Sequence, residues 1–328
     1  MKTNKTNVTK TNPTTTTIES LENRRMMSVS AVIDSQHQFN IHGTGGNDKI
    51  HVELSANRIK VYDISAHSYG KGAPLLADWN SSAANTIRIF GDYGNDLIEI
   101  GGTSPGKSVN VWGGKGNDTV AGGAGPEAIW GGPGNDYLQG GGGNDDLFGE
   151  GDNDMLVGDG PNTTVGNDYM TGGAGIDGVS YWYAKSAVKV NLEDTYANGQ
   201  TGEHDILSSD IENLRGSDYN DTLRGSAQEN QIWGGKGNDS IYGMTDNDSL
   251  YGEAGNDSLD GGLAGDLLVG GVGSDLLIGA PDNGHDVIWG QNQNVYDDGN
   301  VDHDVAKINL VNGDWDYAYA VEQADWIQ

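Results

Sequence analysis

Cysteine is absent from this chain of 328 residues, which excludes disulfide bonds and thiolate metal sites. Basic side chains are scarce: 18 Lys and Arg stand against 48 Asp and Glu, and the net charge of −30 excludes nucleic acid and anionic lipid as partners. Long apolar runs are missing too. None approaches the roughly 18 residues of a membrane span, so we expect a soluble chain without one. The ligand chemistry left in excess is the carboxylate oxygen, which suits hard cations.

Glycine, in contrast, is abundant and periodic. The chain holds 53 Gly, about twice the usual share. Gly recurs every nine residues from Gly113 to Gly158 and again from Gly216 to Gly279, in units such as GGKGNDTVA and GEAGNDSLD. Similarity at a fixed period predicts a repeat architecture.

Each nine-residue unit divides into a loop half and a strand half. Positions one to five are mostly Gly, Asn or small residues that tolerate tight bends, position six is an acid, and position eight is almost always Ile, Leu or Val. This pattern predicts a very short strand with one side chain directed inward. With two units in each turn of a two-sheet coil, each loop stacks on the loop eighteen residues later, and parallel strands lie about 4.8 Å apart.

Stacking would place the acids in columns. Carboxylates about 5 Å apart repel by roughly 3 kcal/mol per pair at an effective dielectric of about 20, so we expect a cation between them. Calcium fits because it accepts about six to eight oxygens from carboxylates and backbone carbonyls alike. Ordering nine residues costs on the order of 9–18 kcal/mol, whereas burying one Leu or Ile returns about 1.5–3 kcal/mol. We therefore expect the arrays to be largely unfolded until several Ca²⁺ ions bind.

The predicted metal ligands are the acids at position six of the units. They are Asp48, Asp96, Asp118, Asp136, Asp145, Asp154, Asp168, Asp177, Asp221, Asp239, Asp248, Asp257, Asp266 and Asp275.

The units resemble the G-G-x-G-x-D-x-U-x nonapeptides of the RTX, or haemolysin-type calcium-binding, family over most of residues 91–290. The resemblance implies a parallel β-roll, calcium held between stacked loops, and a bacterial protein that is secreted or displayed on the cell surface. Some units depart from the pattern: Glu127 and Asn230 replace Asp, Pro126 stiffens one loop, and residues 158–171 contain a five-residue expansion. We expect the sites that contain these positions to be weaker or empty.

The fold class that we predict is all-β: a calcium-stabilised parallel β-roll in two arrays, with a short β excursion between them. Isolated units at 43–51 and 91–99 and an alternating, hairpin-like stretch between them predict that an N-terminal β region continues into the roll. The predicted segments are a disordered N-terminus (1–35), the N-terminal β region (36–112), the first array (113–178), a strand insertion (179–215), the second array (216–290) and a C-terminal cap or export segment (291–328).

Two enzyme motifs overlap in GGTSPGKS, residues 101–108. The stretch fits the phosphate-binding pattern G-x-x-x-x-G-K-[ST] and, at residues 102–106, the nucleophile elbow G-x-S-x-G. Both motifs require a helix to follow, but the next residues, SVNVW, alternate like a strand. The seven His residues form no H-E-x-x-H motif. We interpret the stretch as a turn between strands and predict no catalytic residue and no enzyme activity.

The favoured function is calcium binding in a structural or adhesive protein, with surface polysaccharide or another cell-surface protein as candidate partners. The alternative is a secreted RTX enzyme or effector whose small catalytic unit lies in residues 36–112 or at the C-terminus. Aromatic residues at position nine, including Trp112 and Trp130, are either sugar-stacking platforms or a cover for the sheet. Ice binding would need a rank of Thr at fixed positions, but position two varies among Gly, Glu, Ser and Met.

Overall fold

The computed structural model describes residues 29–64, 73, 75–80, 82, 84–102, 107–161, 163–194, 198–279 and 286–289, together with the backbone of 305–308 and 317–319. The predicted tail as far as Ser28, the turn at 103–106 and most of the C-terminal segment lie outside these residues. The chain divides into two compact units, one of residues 1–168 and 172–175 and one of residues 169–171 and 176–328.

The first unit contains two sheets whose central strands are parallel. Its first sheet has the order β1 (Ser30–Ile33), β2 (Gln38–His42), β6 (Thr86–Tyr93), β8 (Ser108–Lys115), β10 (Glu127–Pro133) and β12 (Asp146–Gly151). Its second sheet has the order β5 (Leu75–Asn80), β4 (Arg58–Asp63), β3 (Lys49–Leu54), β7 (Leu97–Gly102), β9 (Thr119–Ala121), β11 (Tyr137–Gly141) and β13 (Met155–Asp159).

The second unit is built in the same way. One sheet has the order β15 (Gly178–Ser180), β19 (Asn213–Arg215), β21 (Gln231–Lys236), β23 (Ser249–Ala254), β25 (Leu267–Val272), β27 (Val287–Trp289) and β29 (Tyr317–Tyr319). The other has the order β17 (Gly199–Gln200), β16 (Val188–Asn191), β20 (Thr222–Arg224), β22 (Ser240–Thr245), β24 (Ser258–Leu263), β26 (Leu276–Gly279) and β28 (Val305–Ile308). A short β18 (Ile206–Leu207) pairs in parallel with the first residues of β14 (Tyr169–Ala174).

The register confirms two units per turn. In the second unit Leu250 pairs with Ile232 on one side and with Leu268 on the other, each eighteen positions away. The chain is therefore a parallel β-roll, in which alternate units belong to alternate sheets.

Within the two arrays the core consists mainly of the position-eight side chains, stacked in single file. Residues such as Leu138, Ile241 and Leu259 have no exposed surface, whereas their neighbours at positions seven and nine are half-buried or exposed. Because a parallel sheet repeats every 4.8 Å or so, identical branched side chains pack directly on one another. The prediction of one inward residue per unit is confirmed.

The N-terminal region is continuous with the roll, as predicted. β3 and β4 form an antiparallel hairpin in which Val52 pairs with Val61, and β2 and β3 pair in parallel with β6 and β7. One boundary was wrong: strand β1 pairs with β2 from Ser30, so residues 30–33 do not belong to a disordered segment of 1–35. The chain orders there because Val32 and Ile33 lie half-buried against the sheet.

The strands are longer than the sequence predicts. In β23 and β25 the ladder continues past the position-one Gly to position three, where Ala254 pairs with Val272. Loop residues therefore take part in the sheet. We find no helical segment with the length and apolar character of a membrane span among the described residues.

Candidate calcium-binding loops

The predicted acids form columns along the edges of each unit, and one hydrogen bond links each member to the next. The backbone N–H of each acid donates to Oδ1 of the acid one turn later, for example from Asp118 to Asp136 at 2.6 Å and from Asp239 to Asp257 at 2.8 Å. In the first unit the columns are Asp48–Asp96–Asp118–Asp136–Asp154 and Glu127–Asp145–Asp168. In the second they are Asp221–Asp239–Asp257–Asp275 and Asn230–Asp248–Asp266–Asp286.

The second carboxylate oxygen distinguishes these acids from ordinary buried ones. All fourteen predicted acids are at most 3% exposed, yet in seven of them Oδ2 is buried and accepts no hydrogen bond within the described part of the chain. These are Asp96, Asp118, Asp136, Asp145, Asp239, Asp248 and Asp257. A buried, unsatisfied carboxylate oxygen is costly, and a bound cation would satisfy it.

Glycine at position one brings backbone oxygen to the same place. A Cβ built on Gly234 would lie 2.8 Å from the carbonyl oxygen of Gly252 and still closer to Oδ2 of Asp239. The carboxylate of one loop and the carbonyl of the next therefore converge beside a residue without a side chain. Within the described residues no three acidic or His side chains share a point; the oxygens brought together beside Gly234 are one carboxylate and one backbone carbonyl. Such an all-oxygen donor set fits calcium.

Burial raises the pKa of these carboxyl groups. The pKa is about 7 for Asp96, Asp145, Asp239 and Asp248, because desolvation disfavours the charged form. For Asp136 it reaches about 8, and the charges of Asp118 and Asp154 add to the effect of burial. A bound cation reverses this balance by stabilising the charged form.

Two predicted ligands have different surroundings. Asp48 Oδ2 accepts hydrogen bonds from the backbone N–H and the hydroxyl of Thr44, the latter at 3.0 Å. Asp221 Oδ2 accepts the Ser217 N–H at 2.6 Å, and the Ser217 hydroxyl lies 2.8 Å from Oδ1. These carboxylates are satisfied by the protein itself.

The two substituted acids also lie in their columns. Glu127 is buried, and its Oε2 accepts the Gly123 N–H at 2.8 Å; burial raises its pKa to about 8. Asn230 Oδ1 accepts the Ser226 N–H at 2.6 Å, and Asn230 Nδ2 donates to the Glu212 carbonyl at 2.7 Å. An amide donor therefore occupies part of the space that a cation would need.

The remaining predicted ligands lie at irregular places. Asp168 lies in its column after the five-residue expansion and accepts the Asp145 N–H at 2.9 Å. Asp177 donates its own N–H to Glu212 Oε2 at 2.8 Å. Glu212 therefore accepts the hydrogen bond that an Asp accepts in the regular columns. Sequence reasoning missed Glu212, which lies nine residues before Asp221 and so in phase with the second array, because its unit, LSSDIENLR, contains no glycine.

Asp286 is a further member that the sequence prediction missed. It is 2% exposed and accepts the Asp266 N–H at 2.9 Å, and its Oδ2 lies beside Gly279 as in a regular unit. The signal was present: HDVIW follows Gly279 with an acid two positions before an apolar residue. An insertion of two residues hid it.

A second ladder runs beside the acids. Asn at position five accepts, through Oδ1, the backbone N–H of position five one turn later, as in Asn117 to Asn135 at 3.1 Å and Asn238 to Asn256 at 2.8 Å. Asp side chains thus bond to the preceding turn and Asn side chains to the following one. These bonds need no metal and hold the loops in register.

The aromatic residues of the first sheet stack on one another. The ring centroids of Phe90 and Trp112 are 4.7 Å apart, those of Trp112 and Trp130 4.9 Å, and those of Trp130 and Phe148 5.2 Å. In each pair the ring planes are within 7° of parallel. Both faces of each Trp are therefore covered by neighbouring rings. This geometry favours the sheet-covering interpretation over sugar-stacking platforms.

Comparison with known families agrees with the geometry. The family model of the RTX calcium-binding nonapeptide repeat (four copies) matches residues 109–126, 122–156, 162–179, 208–241, 215–250, 233–268 and 242–277. A search of curated proteins finds none that matches. The predicted resemblance is confirmed in both arrays, and the repeat region is a calcium-binding region. The identity and number of the individual sites stay predictions.

Proposed function

We propose that this chain, which carries RTX calcium-binding nonapeptide repeats through residues 109–277, is a secreted or cell-surface bacterial protein with a structural or adhesive role, and that calcium triggers its folding. The observation that supports calcium-triggered folding most strongly is the set of buried Oδ2 atoms without a hydrogen-bond partner at residues such as Asp118 and Asp239. Each is an uncompensated cost in the metal-free chain.

The loops would hold the ion with groups that the fold already brings together. Asp239 Oδ2 and the Gly252 carbonyl oxygen both lie beside Gly234, and the Asp239–Asp257 hydrogen bond fixes the orientation of the second carboxylate. Calcium supplies the positive charge that lets neighbouring carboxylates ionise together. Binding free energy is then folding free energy, because the unfolded chain has no such site.

A secreted or surface location follows from the same chemistry. Extracellular calcium modules work at about 10⁻⁴–10⁻³ M calcium, so a chain that needs several ions to fold would stay unfolded where calcium is low and fold where it is high. The lack of Cys and the net charge of −30 are compatible with either side of a cell envelope. The proposed location therefore rests on the calcium requirement alone.

We further propose that the chain has no catalytic activity. The nucleotide-binding and nucleophile motifs lack support: strand β8 begins at Ser108 where a helix would be required, and the Lys107 ammonium donates to the carbonyl of Ala84. Residues 103–106, in the middle of both motifs, lie outside the described residues. A structural role accounts for the buried acids without assigning chemistry to any of them.

A calcium titration of the metal-free full-length chain tests the proposal. We expect far-UV circular dichroism to convert from a disordered to a β spectrum between micromolar and millimolar calcium, magnesium to be ineffective at equal concentration, and chelation to reverse the change. A chain that is fully folded in chelator, with a melting temperature unchanged by calcium, would refute calcium-triggered folding.

Two further assays address location and role. Fractionation of the producing bacterium should place the chain in the medium or on the cell surface. Assays against lipid, peptide and polysaccharide substrates, with and without calcium, should give no turnover, whereas pull-down with isolated surface polysaccharide or whole cells should show calcium-dependent retention. Turnover of any substrate would favour the secreted-enzyme alternative.

A further inference from the structure

The loops of the roll exist in two backbone conformations. In eleven loops the residues at positions two and four both have positive φ, as at Gly235 (φ +110°) and Gly237 (φ +115°). We call these open loops; they are 91–96, 113–118, 131–136, 140–145, 149–154, 172–177, 234–239, 243–248, 252–257, 261–266 and 270–275. Four other loops of regular length have neither position in the left-handed region, and we call them closed loops: 43–48, 122–127, 216–221 and 225–230.

The closed conformation turns the position-two N–H onto the side chain at position six. This bond occurs in all four closed loops: Thr44 to Asp48, Gly123 to Glu127 at 2.8 Å, Ser217 to Asp221 at 2.6 Å and Ser226 to Asn230 at 2.6 Å. In three of them the position-two hydroxyl adds a second bond to the same side chain. That hydroxyl also accepts the position-four N–H, as from Tyr219 to Ser217 at 3.1 Å.

Sequence explains which conformation each loop takes. Thr or Ser at position two provides the hydroxyl that ties the turn together, and this applies at Thr44, Ser217 and Ser226. The loop at 122–127 has Gly at position two, but Pro126 follows Gly125 and restricts it to extended backbone. Left-handed backbone at position four is thereby prevented.

We propose that the four closed loops hold no calcium and that each acid column starts from such a metal-free loop. This inference rests on the proposed calcium binding and sharpens it, because Asp48 and Asp221 carry the expected acid and are nevertheless assigned no ion. The oxygens that would bind the ion already accept N–H and O–H donors, whose positive ends point into the site. At Asp48 and Asp221, calcium would have to displace two hydrogen bonds to gain the Oδ2 atom.

The position of the closed loops supports this role. The column of Asp96 starts at loop 43–48, that of Asp145 at loop 122–127, and the two columns of the second unit start at loops 216–221 and 225–230. Each of these four columns of side chains therefore begins at a closed loop; Glu212, one turn before Asn230, contacts the last of them through its backbone carbonyl. An ion beside Gly234 would lie between one loop and the loop one turn later, and closed loop 216–221 also has such a later loop. A missing neighbour therefore does not distinguish the closed loops. In the closed loops, hydrogen bonds from position two satisfy the side chain at position six in place of an ion.

Calcium counting on matched variants tests the assignment. Asp221 and Asp239 are neighbours in one column, and D221N reproduces the Ser-x-x-x-Asn pattern that the chain already uses at Ser226 and Asn230. We expect D221N to bind as many calcium ions as the unmodified full chain in equilibrium dialysis, and D239N to bind at least one fewer. An equal loss in both variants would overturn the proposal.

The triple variant S226G/Q228G/N230D tests the proposal by a gain of bound calcium instead of a loss. It converts GSAQEN into GGAGED, which restores Gly at both left-handed positions and the acid at position six. We expect one additional calcium ion per chain. Misfolding removes ions rather than adding them, so a gain is decisive, and a count at or below that of the unmodified chain would overturn the assignment of this loop. If the unmodified chain bound no calcium at all, the proposed function itself would fail, and that outcome is distinct from both of these.

Discussion

Loops 216–221 and 234–239 lie one turn apart in the same column, carry Asp at the same position, and bury it to the same 2% exposure. In the first, the Ser217 hydroxyl and N–H complete the carboxylate; in the second, Gly235 adopts φ +110° and Asp239 Oδ2 accepts no hydrogen bond among the described residues. The comparison shows that the acid alone does not make a calcium site. The backbone at position two decides whether protein or metal completes it.

Because of this difference, closed and open loops of the same fold are stabilised by different partners. A closed loop contains its own hydrogen-bond donors and depends only on the chain. An open loop leaves a buried oxygen unsatisfied and so depends on an ion from outside. Position-eight residues such as Leu223 and Ile241, which stack behind both kinds of loop, are fully buried in either case, so the hydrophobic core does not distinguish them.

The largest effect should come from removing several open-loop acids at once. In D239N/D257N/D275N the side chains remain nearly isosteric but lose the charges that would attract calcium, and we expect the second array to lose calcium-induced β structure in a circular dichroism titration. The matched control is D218N/D246N/D260N, which removes three charges from exposed or half-buried positions and should fold at close to the normal calcium concentration. Equal behaviour of the two triple variants would contradict the assignment of the column.

Much of this arrangement could be predicted from sequence. The nine-residue period establishes the eighteen-residue stacking distance, and the side chain at position eight identifies the core, because both follow from identical units repeating in one phase. The columns of Asp239 and Asp118 are direct consequences of that phase.

The two loop conformations could not be predicted in the same way. Met244, Glu253 and Ala264 take positive φ although none is Gly, so the lack of Gly at position two or four does not identify a closed loop. Hydrogen bonds to stacked neighbours hold these residues in a conformation that their own preferences oppose. Asp286 was missed because an insertion shifts it out of phase, and Glu212 because its unit contains no glycine. Both accept the backbone N–H of an acid in an earlier loop, from Asp266 and Asp177 respectively.

The pH dependence should differ between the metal-free and the calcium-loaded chain. Asp239 and Asp248 have a folded-state pKa of about 7, above the value of about 4 in an unfolded chain. The folded form thus binds more protons over this interval, and the free energy of unfolding in chelator should fall as pH rises from about 4 to about 7. Calcium binds the ionised groups, so its affinity should rise over the same interval.

Circular dichroism in chelator and calcium titrations at pH 5, 6, 7 and 8 measure both trends. We expect residual β structure in chelator to be greatest at the acid end, and the calcium midpoint to fall toward the alkaline end. A calcium midpoint that stays constant or rises with pH would show that protons and calcium do not compete for the same oxygens.

A smaller effect should follow from adding one methyl group to an open loop. In G235A the new Cβ would meet the Ser217 carbonyl oxygen and the residue would have to keep φ +110°, which costs about 1–2 kcal/mol for left-handed backbone alone. If that cost appears in binding, calcium affinity at this loop should fall about tenfold, since about 1.4 kcal/mol is a factor of ten. Calorimetric titration measures it. Gly45, in a closed loop, has no positive φ, and a Cβ added to it would meet no atom within 4 Å, so G45A should leave calcium affinity unchanged.

The smallest effect concerns the Asn220–Asn238 bond, one of the hydrogen bonds between the two compared loops. Asn220 Oδ1 accepts the Asn238 N–H at 2.8 Å, and both residues are exposed, so water can replace part of what N220A removes. We expect a loss of about 0.5–1.5 kcal/mol in the free energy of unfolding at saturating calcium, measured by urea denaturation, with the calcium count unchanged. N220D keeps an oxygen acceptor and should recover most of the loss. A drop in calcium count in N220A would mean that the Asn ladder orients the open loop for binding, and the separation between register and metal chemistry would not hold.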